Sequence, residues 1–268
     1  MEKIGLLAGL GRLPVECARA ARSMGYSIFA VALLDDVDAE LRQNVTDQVD
    51  ISIAHLEEIL KYFKDNDIKK VIMLGKVTKE MLFNGAHDKP DARMMKLIVS
   101  LPDRSDDTLM MIFVRELASE GLQAFDQTAL IRMLMPSRGT LTKREPTVEE
   151  RKDMEFGFRM AKEIGGLDIG QTAVVKNLAV MALEAIEGTD ACIRRGGQLA
   201  CGGSVIAKVA KPKQDVRFDV PTIGLKTIEA MVEVGAKALV IEAGKTLVVE
   251  REKVIALAET NDITIVAM

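Results

Sequence analysis

Residues 3–24, KIGLLAGLGRLPVECARAARSM, decide the class of fold to which this chain belongs. The first six residues are apolar enough for a buried strand, and Gly9 ends the run. Pro14 suits the first turn of a helix, and apolar residues then recur at helical spacing from 15 to 24. A strand, a glycine turn and a helix in this order predict the first βα unit of an α/β fold.

The same alternation continues along the rest of the chain. Apolar runs predict further strands at 27–34, 69–75, 122–125, 204–210, 238–243 and 263–268. Amphipathic segments predict helices at 55–66, 106–120, 151–164, 227–235 and 252–261. Residues 172–186 fit either a strand hairpin or a strand that leads into a helix. This alternation predicts a parallel sheet with right-handed crossovers.

A polar stretch divides the chain into two predicted domains. Residues 136–150, PSRGTLTKREPTVEE, contain two prolines and no apolar periodicity, so we interpret them as a linker. The predicted fold class is therefore two α/β domains joined by that linker. Residues 1–135 would form an N-terminal Rossmann-like domain with a parallel sheet, and residues 151–268 a C-terminal mixed α/β catalytic domain.

Composition excludes several classes of function. The net charge of −4 and the scarcity of aromatic residues, at 4%, argue against a nucleic-acid partner. The three cysteines form no C-x-x-C pair, and the two histidines stand far apart, so any metal would be held by oxygen ligands, as Mg²⁺ or Mn²⁺ is. No signal peptide and no apolar run of about 18 residues is found, and we expect a cytoplasmic protein.

The turn after the first strand is a candidate phosphate site. Gly9 and Gly11 would let backbone N–H groups approach a phosphate at the start of the helix. The pattern is G-x-G-x-x-P rather than the dinucleotide G-x-G-x-x-G, although Asp35 or Asp36 stands where a ribose-binding acid would be. A plain tight turn explains the pattern equally well. Lys76, after the third predicted strand, would lie at the sheet edge where ligands bind.

Residues 184–224 carry most of the remaining chemistry. They combine acids, bases and glycines, and we expect no helical or strand alternation to account for them. Both signs of charge together suit a divalent cation bound to a phosphoanion, because each offsets the other's cost of burial. The acids are Glu184, Glu187, Asp190, Asp215 and Asp219; the bases are Arg194, Arg195, Lys208, Lys211 and Arg217; the glycines are Gly188, Gly196, Gly197, Gly202 and Gly203.

Long strings of the sequence resemble one enzyme family. They are IGLLAGLGRLP, GKV, SDDTLM, DIGQTAVVKNLAVMALEAIEGTDACIRR and KVAKPKQDVRFDVPTIGLKTIEAM, which are spread over nearly the whole chain. They resemble the UDP-2,3-diacylglucosamine pyrophosphatase family of lipid A biosynthesis, the branch unrelated to the calcineurin-like phosphoesterases. Ser105 and Asn177 depart from the pattern, which has glycine at both positions.

The resemblance implies a reaction and its partners. The expected reaction is Mg²⁺-dependent hydrolysis of UDP-2,3-diacylglucosamine to 2,3-diacylglucosamine 1-phosphate and UMP, with water attacking the phosphorus on the sugar side. Mn²⁺ is the alternative metal. The resemblance also implies a homodimer, and the diacyl substrate a transient contact with the inner-membrane surface.

The expected site residues follow from the charged stretch and the resemblance together. Asp215 and Asp219 are the expected catalytic residues, and whether each ligates the metal or activates water is left open. Glu187 is expected to be a third metal ligand. The expected substrate-binding residues are Gly9, Gly11, Lys76, Thr189, Asp190, Arg194, Arg195, Lys208, Lys211 and Gln214.

Two other classes of function compete with this interpretation. A nucleotide-dependent oxidoreductase would use the glycine turn and Asp35, but it lacks the full dinucleotide pattern. A nucleotide- or lipid-binding regulatory module would use the same cations without catalysis. Spare carboxylates beside those cations disfavour such a module, since they would repel a diphosphate unless a metal were bound.

Overall fold

The computed structural model describes residues 1–77, 88–102, 106–212 and 220–268, the side chains of residues 106, 107 and 109 excepted. The chain divides into two compact units. The first spans Met1–Ile131, and the second is built from the described residues from Arg132 onward. Each unit is an α/β structure around its own sheet, so the predicted fold class is confirmed.

The first unit contains a sheet whose described strands are all parallel, in the order β3-β2-β1-β4-β5. The strands are β1 (Lys3–Ala8), β2 (Ser27–Ala32), β3 (Asp47–Asp50), β4 (Lys70–Leu74) and β5 (Gln123–Ala124). The helices described here are α1 (Leu13–Ser23), α2 (Leu41–Asn44), α3 (Leu56–Asp65), α4 (Ala92–Val99), α5 (Asp106–Ser119) and α6 (Thr128–Ile131).

Close packing of α3 on β1 depends on a glycine in the strand. A Cβ atom at Gly5 would lie 2.8 Å from a ring carbon of Phe63, which is fully buried. The missing side chain therefore lets the Phe63 ring cover the middle of the sheet. On the helix after β1, a proline in the first turn and apolar residues at helical spacing produce the predicted amphipathic α1.

The second unit contains a mixed sheet in the order β6-β13-β11-β9-β7-β8, together with a separate parallel pair, β10 and β12. The strands are β6 (Gly139–Thr140), β7 (Thr172–Lys176), β8 (Ala179–Leu183), β9 (Val205–Lys208), β10 (Thr222–Ile223), β11 (Ala238–Ile241), β12 (Leu247–Val248) and β13 (Thr264–Ala267). The helices described here are α7 (Val148–Gly166), α8 (Thr189–Ala200), α9 (Leu225–Glu233), α10 (Arg251–Thr260) and a short 3₁₀ helix (Arg132–Leu134).

The second sheet is buried on both faces. The strands β9, β11 and β13 run parallel, and each is buried along its whole length, as expected where helices cover both sides. One face packs around Ile206 and Leu239, and the other around Val205 and Val240. The helix α7 begins with a capping box between Thr147 and Glu150.

The absence of helical alternation expected over residues 184–224 was wrong, because residues 189–200 form α8. The strand predicted at 204–210 is present as β9, Val205–Lys208. Glycines at 196 and 197 weaken the helical signal in the sequence, but close packing requires them. A Cβ atom at Gly196 would lie 2.5 Å from Cβ of Val174, and one at Gly197 would collide with Val234. These two glycines serve helix packing in the unit's core.

Two other segments of the second unit contain strands that pair antiparallel. Residues 172–186 contain a hairpin of β7 and β8, the first of the two alternatives expected. Residues 136–150 belong to the second unit and contain β6, which pairs antiparallel with β13. The strand β3 was not expected, because its sequence, DQVD, lacks an apolar run.

Candidate active site

Several of the side chains expected to bind substrate lie at one edge of the second sheet. The parallel strands β9 and β11 end there at Lys208 and Ile241. The antiparallel strand β7 begins at the same edge, since Thr172 pairs with Lys208. The carboxyl ends of parallel strands are where α/β proteins bind ligands, and this edge is the candidate active site.

Lys208 extends from the last position of β9 and is buried. Its Nζ atom donates to the backbone oxygen of Thr222 at 2.7 Å. That contact joins the end of β9 to β10, so it ties together the two chain segments that flank residues 213–219. A buried ammonium group needs such acceptors, because leaving it unpaired would cost far more than burying an amide.

A second network fixes the start of β7 and the start of α8. Glu184 is buried, and its carboxylate accepts the Thr189 hydroxyl at 3.0 Å and the backbone N–H of Gln171 at 3.3 Å. The Thr172 hydroxyl lies 3.4 Å from the Thr189 hydroxyl. A Cβ atom at Gly170 would collide with the backbone of Glu184, so these segments approach closely. Thr189, an expected substrate-binding residue, therefore lies at this edge.

A partly buried ion pair holds the chain just after β9. Lys162 Nζ lies 2.5 Å from the Glu242 carboxylate and donates to the backbone oxygen of Ala210 at 2.8 Å. The same carboxylate oxygen accepts the Ala210 N–H at 3.0 Å, while Lys245 pairs with the other oxygen. Burial raises the pKa of Glu242, but the hydrogen bonds from Lys162, Lys245 and Ala210 outweigh burial and lower that pKa overall.

Lys211 lies two positions before residues 213–219 in the sequence. Its Nζ atom lies 2.6 Å from Oδ1 of Asp168, whose backbone is in the left-handed region with φ of 58°. Gln214, Asp215 and Asp219, the residues expected to bind substrate and to act in catalysis, lie outside the described residues.

The arginines of α8 are engaged by carboxylates. Arg194 makes a two-pronged contact with Glu233, and Arg195 pairs with Glu187 while also donating to the backbone oxygen of Leu183. The hydrogen bond from Arg195 lowers the pKa of Glu187, so this acid is held as a carboxylate. Both arginines lie on the helix that begins at the sheet edge, and Asp190 is in the first turn of that helix.

Lys176 has a structural role at the end of α8. Its Nζ atom donates to the backbone oxygens of Ala200 and Gly202, at 2.7 and 2.8 Å. A cation at the carboxyl end of α8 satisfies carbonyl groups that the helix leaves without partners.

In the first unit, the glycine turn is shaped by contact between two chain segments. Leu10 and Lys76 exchange backbone hydrogen bonds of 3.0 and 2.8 Å. A Cβ atom at Gly9 would lie 2.8 Å from the Lys76 oxygen, so that approach requires glycine. Gly11 has φ of +99° with open space around it, and the Lys76 side chain is exposed. The turn is therefore open to a ligand at Gly11, whereas Gly9 is explained by packing.

Two of the three cysteine thiols, those of Cys17 and Cys192, are buried. Burial raises the pKa of both Cys17 and Cys192 to about 12, which keeps these thiols protonated and unreactive. Within residues 1–77, 88–102, 106–212 and 220–268, no group of three or more His, Cys, Asp or Glu side chains could hold a metal ion. None of the helices in those ranges is long and apolar enough to cross a membrane.

Fold and candidate site together define an α/β protein of two units, in which lysines and carboxylates gather at the carboxyl ends of parallel strands in the second sheet. A profile of the LpxI N-terminal domain matches residues 3–134, and one of the LpxI C-terminal domain matches residues 137–266. The chain is 36% identical over 270 residues to the UDP-2,3-diacylglucosamine pyrophosphatase LpxI of Caulobacter vibrioides (strain ATCC 19089 / CIP 103742 / CB 15), covering 97% of this chain and 95% of that relative. The chain belongs to the LpxI family, which confirms the resemblance found in the sequence.

Likeness to solved structures is weak by comparison. The ADP complex of an N5-carboxyaminoimidazole ribonucleotide synthetase is 14% identical, with a TM-score of 0.29 over 65% of this chain and 32% of that one. The corresponding synthetase from Thermotoga maritima is 11% identical, with a TM-score of 0.25 over 70% of this chain and 42% of that one. The chain thus spans less than half of either enzyme, and scores this low carry no argument about function.

Proposed function

We propose that this chain hydrolyses UDP-2,3-diacylglucosamine to 2,3-diacylglucosamine 1-phosphate and UMP in lipid A biosynthesis. The observation that carries the proposal is identity of 36% to a pyrophosphatase of that specificity over 97% of the chain. Both domains of the family are present, so the proposal concerns the whole enzyme rather than one module of it.

The edge of the second sheet has the charges that this reaction requires. A diphosphate carries negative charge that must be neutralised before water can attack phosphorus. Lys208 and Lys211 stand at the end of β9, and Arg194 and Arg195 stand on α8. We assign these cations to the diphosphate. The arginines would exchange their carboxylate partners for phosphate oxygens. A guanidinium group can donate two parallel hydrogen bonds to a phosphate as it does to a carboxylate.

The remaining roles follow from the chemistry of water attack. The oxygen of water bonds to the phosphorus on the sugar side, and the bond from that phosphorus to the bridging oxygen breaks. UMP leaves with the bridging oxygen, and the proton of the attacking water passes to a carboxylate, for which Asp215 or Asp219 is the proposed base. Thr189, Asp190 and Gln214 are proposed to contact the sugar or the metal, and Gly11 and Lys76 stay proposed substrate contacts in the first unit.

Magnesium remains part of the proposal, with Mn²⁺ as the alternative. The described acids alone do not form a suitable cage, since Glu187 is bound by Arg195 and Glu184 by Thr189 and Gln171. The proposed ligands are therefore Asp215 and Asp219, joined by Glu187 once it releases Arg195. A bound divalent cation would neutralise the diphosphate and polarise its phosphorus–oxygen bonds.

The experiment is a UMP-release assay on the purified protein with UDP-2,3-diacylglucosamine and Mg²⁺. Asp215→Ala and Asp219→Ala are measured beside Asp65→Ala, which removes an exposed carboxylate that pairs with Lys61. The proposal expects at least one of the first two variants to lose about 10²-fold or more in turnover, as when one acid–base or electrostatic group is removed. Near-normal turnover in both, with the folds intact, would show that neither Asp215 nor Asp219 is catalytic. Full activity in excess EDTA would remove the metal from the proposal.

Location and assembly are proposed together with the activity. We propose a cytoplasmic homodimer that touches the inner-membrane surface only while it loads its diacyl substrate. Recovery from cells in the soluble fraction, or release from membranes by carbonate, is the expected result. Retention in membranes after carbonate extraction would contradict it, and a monomeric mass by light scattering would contradict the dimer.

A further inference from the structure

A lysine that the proposed function does not use lies at the same edge of the second sheet. Lys245 is in the turn that follows β11, three residues after Glu242. The parallel strands β9 and β11 end side by side, since Ile241 pairs with Lys208. Lys245 therefore lies at the carboxyl ends of parallel strands, where α/β proteins bind ligands.

The turn that carries Lys245 is held by hydrogen bonds. The backbone N–H groups of Lys245 and Thr246 both donate to the backbone oxygen of Glu242, at 3.3 and 3.1 Å. The hydroxyl of Thr246, a fully buried residue, accepts the Glu242 N–H at 3.3 Å. Gly244 has φ of +66°, a left-handed conformation that glycine adopts without strain. The backbone of Lys245 is thus fixed, whereas its side chain is 61% exposed.

Lys245 shares its carboxylate with a second cation. Its Nζ atom lies 2.9 Å from Oε1 of Glu242. The other oxygen of that carboxylate lies 2.5 Å from Lys162 Nζ and accepts the Ala210 N–H at 3.0 Å. Two ammonium groups therefore contact one carboxylate, and these three side chains together carry one net positive charge.

Lys245 can release Glu242 without leaving that carboxylate unpaired. Lys162, the less exposed of the two lysines, would still neutralise it. Release of Arg194, by contrast, would take the paired guanidinium away from Glu233. Within the described parts of the chain, Lys245 has no carboxylate partner besides Glu242. An exposed ammonium group in excess of the local carboxylates attracts an anion.

We propose that Lys245 binds the diphosphate of the substrate, as a further substrate-binding residue of the second unit. The inference rests on the proposed function for the identity of the anion. The Glu242 carboxylate alone separates Lys245 Nζ from the nitrogen of Ala210, the residue directly before Lys211, which is assigned to the diphosphate. When the diphosphate binds, Lys245 Nζ moves from Glu242 to a phosphate oxygen, and Lys162 stays on the carboxylate. An ammonium group is a compact point charge, so it needs no planar partner for this contact.

The first test is calorimetric titration with inorganic pyrophosphate in the presence of Mg²⁺. Wild-type protein is compared with Lys245→Gln and Lys245→Arg. Lys245→Gln should bind pyrophosphate about 10-fold or more weakly, the loss expected for one hydrogen bond to a charged group. Lys245→Arg keeps the charge and should recover part of that loss.

Lys237→Gln is the matched control. Lys237 directly precedes β11, so it lies at the opposite edge of the sheet, and it also pairs with a carboxylate, that of Asp262. The substitution removes the same charge from the same unit away from the candidate site. Its affinity for pyrophosphate should equal that of the wild type.

The UMP-release assay and thermal melting separate binding from structure. In Lys245→Gln, KM for UDP-2,3-diacylglucosamine should rise while kcat stays near the wild-type value, as for lost uniform binding. The melting temperature without ligand should stay close to that of the wild type, because an exposed ion pair contributes little and Glu242 keeps Lys162.

Three results would overturn the inference without touching the hydrolase proposal. They are unchanged pyrophosphate affinity and KM in Lys245→Gln, an equal loss of affinity in Lys237→Gln, and a fall in the melting temperature of Lys245→Gln as large as that of Glu242→Gln. The reverse outcome is also distinguishable. A wild-type protein that binds pyrophosphate through Lys245 but releases no UMP from UDP-2,3-diacylglucosamine would keep this contact and contradict the proposed reaction.

Discussion

The carboxylate of Glu242 lies 3.0 Å from the backbone nitrogen of Ala210 and accepts its N–H, while Lys162, paired with that carboxylate, donates to the Ala210 oxygen. The backbone N–H and the backbone oxygen of Ala210 are thus both bound by one ion pair. Ala210 stands between Lys208 and Lys211, the two lysines assigned to the diphosphate. The ion pair therefore fixes the strand end from which the proposed catalytic segment leaves the sheet.

Glu242→Gln should destabilise the second unit by about 2 kcal/mol at pH 7, the worth of a hydrogen bond to a charged group. The effect should depend on pH, since the folded pKa of Glu242 lies below its ordinary value of 4.5. A lowered pKa gives stability that is present above pH 4.5 and lost as the pH falls through the folded value. Thermal melting of both proteins from pH 7 to pH 3 should show the difference in stability between wild type and Glu242→Gln shrinking as the pH falls. A difference that does not change with pH would contradict an ionised Glu242 in the folded protein.

Asp153→Ala should loosen the hairpin of β7 and β8. The buried carboxylate of Asp153 accepts the backbone N–H groups of Asn177 and Leu178, at 2.8 and 2.7 Å. Both donors would lose a charged acceptor, and we expect a loss of about 2 to 3 kcal/mol in the free energy of unfolding. Urea melts measure it, with Glu155→Ala as the control, because Glu155 is exposed on the same helix. Equal midpoints for the two variants would show that Asp153 does not hold the turn.

Leu178→Gly should stabilise the protein. The turn residues Asn177 and Leu178 have φ of 53° and 60°, and a hairpin turn of this kind favours glycine at its second central position. Leucine is strained there by about 1 kcal/mol, and its side chain is exposed, so little packing is lost. A rise in melting temperature is expected, and Leu178→Ala, which keeps the strain, should give no such rise. A lower melting temperature for Leu178→Gly would mean that the Leu178 side chain makes a stabilising contact that outweighs the backbone strain.

Gly197→Ala should destabilise the packing of the helix α8 against Val234. The new Cβ atom would collide with Val234, and overpacking of this kind costs about 1 to 3 kcal/mol. Val234→Ala in the same protein should recover part of that loss, because it removes the atoms that collide. The double-mutant cycle measures the coupling. Additive losses would indicate that Gly197 is needed for another reason, such as access of a ligand to the backbone.

The fold was predictable from sequence because its signals are local. The run KIGLLA and the proline-led segment after it gave β1 and α1, and the other long apolar runs gave β9, β11 and β13. The strand β3 could not be found this way, since DQVD gains its place by pairing with β2 rather than from its own composition. The helix α8 was missed for the opposite reason, because tertiary packing selects two glycines that lower its intrinsic propensity.

The site was predictable only in part. Lys208, Lys211 and Thr189 lie at one edge of the second sheet, and their roles in binding stay predictions. Lys162 and Glu242 were missed, because they are 80 positions apart and meet only through the fold. Glu242 could have been recognised in the sequence as an acid that directly follows a buried strand, because it comes immediately after β11. Gln214, Asp215 and Asp219 stay predictions from the sequence.

The central claim is most directly tested by hydrolysis of UDP-2,3-diacylglucosamine in ¹⁸O-labelled water, with mass spectrometry of both phosphorylated products. Purified protein with Mg²⁺ should release UMP and 2,3-diacylglucosamine 1-phosphate in equal amounts, and the label should enter the sugar phosphate, because water attacks the phosphorus on the sugar side. Label in UMP instead would overturn the direction of attack. Failure to form either product, from folded protein that contains both family domains, would contradict the proposed function itself.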